Sequence, residues 1–149
     1  MKFRKTIIEV ISFLLVILWV YAGLSKLLDY ETTRFQLGRS PFLEHYAGIV
    51  AWAVPTSEIL IALGLLITPT RLASLYASFA LMLIFTGYIY LILNHSYYIP
   101  CSCGGVLSGM DWHTHLWFNI AFTVLALIAI ILSVTGNTKH FDHSYIQVS

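Results

Sequence analysis

The sequence predicts an all-α integral membrane protein, a bundle of four transmembrane helices. Of its 149 residues 58% are hydrophobic and only 10% charged. Its mean hydropathy is +0.81. It also contains four apolar runs, each close to the roughly 20 residues needed to cross a hydrocarbon core of about 30 Å. Four such runs consume about 80 residues and leave short connections, so a single domain over residues 1–149 is expected, with membrane lipid as its main solvent. The net charge of +1 comes from basic residues spread along the chain, which offers no surface for nucleic acid.

The first span is expected over residues 7–28, after the basic Lys2-Phe-Arg-Lys5. It reads as a retained helix rather than a signal peptide, being longer than a signal core and lacking a small-x-small cleavage site. The second, over 46–68, contains Pro55 and a single charge, Glu58, and ends at Thr68-Pro69-Thr70-Arg71, where proline cannot continue the helical ladder. The third, over 72–93, is uncharged, and the fourth, over 116–135, is expected to stop at Gly136-Asn137 before a polar tail. Ala22, Gly23, Ala62, Gly64, Ala73, Ala77 and Ala80 are the small residues expected at helix contacts.

With the N-terminus inside, Lys2, Arg4, Lys5, Arg71 and Lys139 lie on the inner side and Lys26, Arg34 and Arg39 on the outer. This excess sets the orientation in a bacterial inner membrane. Both termini are then cytoplasmic, and the loops 29–45 and 94–115 periplasmic, the second bracketed by Tyr97, Tyr98, Trp112 and Trp117 as an interfacial belt. The first loop mixes Phe35, Leu37, Phe42, Leu43 and Tyr46 with charges, which suits a segment lying in the interface over the bundle mouth.

The chemistry-bearing stretch is Pro100-Cys101-Ser102-Cys103-Gly104-Gly105, which holds the only two cysteines. Two thiols one residue apart can form a disulfide, Cys101–Cys103, in a small strained ring that is easily reduced, as electron exchange requires. They can instead share a metal with His113 and His115, His95 and Asp111 lying on the same loop, although the spacing fits no standard zinc pattern. Or they can be inert small hydrophobes. A nearby histidine would stabilise a thiolate, whereas an interfacial histidine needs no function. Glu58 is either a proton acceptor, or polar anchor for a quinone, or a tie between helices through Tyr88, Asn119 or Thr123 near the Pro55 kink. Lys26 is accounted for by snorkelling at a helix end.

Three pieces together resemble a known family: Gly23-Leu-Ser-Lys26-Leu-Leu-Asp29, then Pro55-Thr-Ser-Glu58 followed by Leu63-Gly-Leu-Leu66, then Cys101-Ser-Cys103-Gly104-Gly105. In this order they resemble the MauE branch of the DoxX-like redox-associated membrane proteins. Gly104 stands where that family more often has a bulkier, aromatic residue. The resemblance implies a four-helix bundle loosely similar to vitamin K epoxide reductase, working beside periplasmic thioredoxin-like proteins in disulfide handling. The expectation is therefore a thiol-disulfide oxidoreductase in which Cys101 and Cys103 cycle between dithiol and disulfide, with Lys26, Pro55, Glu58, His95, His113 and His115 in support. Because two cysteines on one face cannot relay electrons across a bilayer, a quinone or a second partner completes the cycle. The alternative is a non-catalytic membrane subunit whose Cys/His loop binds a metal or docks a partner.

Overall fold

In hydrocarbon every backbone N–H and C=O needs a partner within its own segment, so apolar runs of this length become helices. The computed structural model describes residues 2–95 and 111–146, and side chains as far as Gly136. Five α-helices and two short 3₁₀ turns make up the described chain: α1 (Lys2–Leu28), α2 (Tyr30–Gly38), a turn at Glu44–Tyr46, α3 (Ala47–Leu66), a turn at Thr68–Thr70, α4 (Arg71–His95) and α5 (Trp112–Ile146). The stretches Lys2–Leu28, Glu44–Leu66, Thr68–His95 and Trp112–Gly136 are long and apolar enough to cross a membrane. The protein is an all-α, multi-pass membrane protein.

The four long helices pack in a ring. α1 contacts α3 and α5, α4 contacts α3 and α5, and of the diagonal pairs only α1 and α4 touch, briefly. Ile11, Leu15, Trp19, Ile61, Ala62, Leu65, Leu75, Met82, Ala126, Ala129 and Ile130 fill the interior. Large apolar side chains such as Phe13, Leu63, Ile84 and Ile131 face outward, as lipid-facing positions should. Small residues permit the closest approaches. A Cβ on Gly23 would sit 2.9 Å from Ile59 Cδ1 and 3.2 Å from the Pro55 carbonyl oxygen. Ala73 and Ala80, expected at contacts, are exposed, and Ser74, Leu75, Ser78 and Met82 face inward instead.

Helix ends depart from the sequence expectation for identifiable reasons. α3 runs unbroken through Pro55, with Thr56 Oγ1 donating to the Trp52 carbonyl (2.8 Å) and Ser57 Oγ to that of Val54 (2.7 Å) on either side of the proline. It stops at Leu66 because Ile67 turns extended. Thr70 Oγ1 then caps the Gly64 carbonyl (2.8 Å) and Arg71 Nε that of Leu65 (3.2 Å). The expected stop at Gly136-Asn137 does not occur, since α5 continues to Ile146. Gly136 lies against the Arg4 guanidinium, and its missing Cβ lets that side chain cross the helix. The loop expected over 29–45 contains α2, packed on α3 and pinned where the Tyr30 hydroxyl donates to the Gly48 carbonyl (3.5 Å).

Candidate functional site

The ring places one pair of charges inside the bundle. Gly23 brings α1 against α3 at Pro55, and three residues further along each helix stand Lys26 and Glu58. Cα–Cβ bonds tilt toward a helix N-terminus, and Lys26 follows that direction. It folds back one turn, donating to the Ala22 carbonyl (3.3 Å), and reaches Glu58 Oε1 at 2.9 Å. The Glu58 side chain is fully buried and that of Lys26 only 15% exposed. Snorkelling therefore does not describe Lys26, which turns into the protein because an opposite charge waits there.

Three of the four long helices meet at this ammonium. The Phe85 ring of α4 lies 5.8 Å from Lys26 Nζ, within cation–π range, and α5, with His115 half-buried in its first turn, packs against both α1 and α4. Phe85 also packs on Trp19 of α1, with ring centroids 6.1 Å apart, and Trp19 Nε1 donates to Ser78 Oγ of α4 at 3.0 Å. One turn along α4 from Phe85, the Tyr88 hydroxyl donates to Ser40 Oγ (2.9 Å). Ser40, wholly buried, thereby fastens the link between α2 and α3 to α4.

The partners expected for Glu58 have other roles. Tyr88 binds Ser40, and Thr123 Oγ1 donates to the Asn119 backbone carbonyl (2.7 Å). Asn119 is 4% exposed. Its Nδ2 and Glu58 Oε2 are buried without a hydrogen-bond partner.

Of the remaining expected residues, His95 ends α4 and is exposed, while His113 is exposed in the first turn of α5. His113 and His115 belong to a helix rather than a loop. Asp111 caps that helix, its carboxylate accepting from the His113 backbone N–H (3.2 Å) and its carbonyl from that of His115 (2.9 Å). Cys101 and Cys103 lie outside the described residues, as does the metal set that includes them. Among the described residues no three His, Cys, Asp or Glu side chains cluster as metal ligands would. Sequence reasoning missed the Lys26–Glu58 pairing and the places of Phe85 and Ser40. Part of the signal for the first was available: Glu58 is the only charge of the second span, and Lys26 stands three residues after Gly23, one of the small residues expected at helix contacts.

A family model described as methylamine utilisation protein MauE matches residues 4–132. No curated protein and no solved structure matches the chain.

Proposed function

The chain belongs to the MauE family, and on that premise we propose that it is a membrane thiol-disulfide oxidoreductase acting on a periplasmic thioredoxin-like protein. Cys101-Ser-Cys103 carries this reading: two thiols one residue apart, in a segment that leaves α4 and rejoins α5. In an up-and-down ring that segment starts and returns at the end of the bundle where Lys26 closes α1. The excess of Lys and Arg at the opposite end supports a periplasmic position for it in a bacterial inner membrane, with both termini cytoplasmic.

In the exchange, one cysteine thiolate attacks a sulfur of the partner's disulfide, and the other partner sulfur leaves and takes up a proton. The second cysteine then displaces the mixed disulfide. The Cys101–Cys103 bond forms, the partner's bond breaks, and two electrons pass to the partner. The reverse sequence returns them. A second electron partner, within the membrane or beyond it, resets the pair. His95 and His113, at the two ends of the segment, support the thiols electrostatically when protonated, and His115, half-buried in the first turn of α5, lies at the same end of the bundle. Pro55, Lys26 and Glu58 fix the helices beneath them.

Trapping tests this. With Cys103→Ser or Cys101→Ser, the variant that retains the attacking thiol should accumulate a reducible mixed disulfide with a thioredoxin-like protein, while the double variant traps none. If both single variants retain function and neither traps a partner, the protein is a docking or metal-binding subunit, with Cys101, Cys103, His113 and His115 as the ligand set to test.

A further inference from the structure

Among the buried polar atoms at the Lys26 end of the bundle that have no hydrogen-bond partner, two belong to the long helices: Glu58 Oε2 on α3 and Asn119 Nδ2 on α5. One only accepts and the other only donates. They stand on diagonal helices that do not touch each other. Asn119 stands one turn after His115 on α5, which packs against both α1 and α4, the helices that carry Lys26 and Phe85. An unpaired polar group in a low-dielectric interior costs about 1–3 kcal/mol, more when charged, which is a reason to expect a ligand that pairs with both.

We propose that Lys26, Glu58 and Asn119, with the Phe85 ring, form a binding site for the head group of a quinone. The carrier's chemistry matches the donor set. An oxidised quinone oxygen only accepts hydrogen bonds, which Lys26 Nζ and Asn119 Nδ2 can donate; a quinol oxygen also donates, which Glu58 Oε2 can accept. A ligand whose oxygens change role with redox state is served by a site offering both roles side by side. Phe85 supplies an aromatic face for a planar ring, and Lys26, 15% exposed in the last turn of α1, stands at the end of the bundle from which a ligand would approach.

This inference rests on the thiol redox function proposed above, for which it names the second electron partner. In the reverse exchange a thioredoxin-like dithiol reduces the Cys101–Cys103 bond and becomes a disulfide, and a quinone then reoxidises the Cys101/Cys103 dithiol to give a quinol and the disulfide: two S–H bonds break, one S–S bond and two O–H bonds form, and two electrons pass from sulfur to the quinone.

The site is tested by displaceable binding of tritiated decylubiquinone to the full chain in lipid nanodiscs, using the Cys101→Ser/Cys103→Ser protein so that binding is read without thiol chemistry. Saturable binding is expected there. It should weaken tenfold or more in Asn119→Leu, a change that removes an unpaired group and leaves the melting temperature unchanged or raised. The charge-free double variant Lys26→Met/Glu58→Leu should show the same loss. Binding that is not displaceable, or that both variants retain, overturns the site. Binding with the expected losses, alongside a native dithiol that decylubiquinone does not oxidise, upholds the site and overturns its link to the cysteines.

Discussion

Lys26 Nζ and Glu58 Oε1 lie 2.9 Å apart in a bundle whose other interior side chains are mostly apolar. The contact joins the first and third helices through two equal intervals, Gly23 to Lys26 and Pro55 to Glu58, and the lysine bends back along its own helix to make it.

Breaking a buried pair from one side strands the other charge, which costs about 3–5 kcal/mol, whereas replacing both partners with apolar residues of similar size is often neutral. Glu58→Leu and Lys26→Met should each lower the thermal unfolding midpoint in detergent by several degrees. The combination Lys26→Met/Glu58→Leu should recover most of it. Additive losses in the double variant would mean that the two residues do not act as a pair.

Gly23→Val should loosen the α1–α3 contact, since its Cβ alone would meet Ile59 Cδ1 at 2.9 Å and the Pro55 carbonyl oxygen at 3.2 Å. The isoleucine can swing away but the carbonyl cannot. Overpacking of this kind typically costs about 1–3 kcal/mol. Unfolding assays should show the loss, and Ile59→Ala should relieve only part of it. An unchanged melting midpoint for Gly23→Val would show that the helices separate freely there.

How much of this was legible in the sequence differs by feature. The number and approximate place of the spans follow from run length, because a bilayer demands about 20 apolar residues in a row. Helix ends follow tertiary partners instead: Ile67 turns extended ahead of Pro69, and Gly136 continues as helix under Arg4. Lys26 was misread because a lysine near a helix end has two ways to satisfy its charge, outward to headgroups or inward to a carboxylate. Choosing between them requires knowing that α1 packs on α3. The same gap hid Ser40, whose burial depends on Tyr88, 48 residues away. The chemistry of Cys101 and Cys103 was read from their spacing and from the resemblance to the MauE family.

Tyr88→Phe removes the bond that fastens Ser40 and leaves a fully buried hydroxyl short of a partner. A net loss of about 1–3 kcal/mol is expected. Amide exchange across residues 40–46 should accelerate about tenfold, while the centres of α1 and α4 exchange as before. Uniform acceleration through all four helices would point to global destabilisation rather than a local pin.

Trp19→Phe keeps an aromatic ring against Phe85 but removes the donor to Ser78 Oγ. Losing one buried hydrogen bond between neutral groups should cost about 1 kcal/mol, read as a small fall in melting midpoint. Trp19→Phe/Ser78→Ala should regain part of it. If the double variant is less stable than Trp19→Phe alone, the hydrogen bond is not the source of the loss.

The central claim is that Cys101 and Cys103 form a periplasmic disulfide that is made and broken in function. It is tested most directly by treating intact cells with a membrane-impermeant, high-mass maleimide before and after reduction and reading the gel shift. The account predicts no shift without reductant and a shift of two labels after it, with one label after reduction in Cys101→Ser or Cys103→Ser. Two labels without reduction, or labelling that appears only after a chelator, would contradict it.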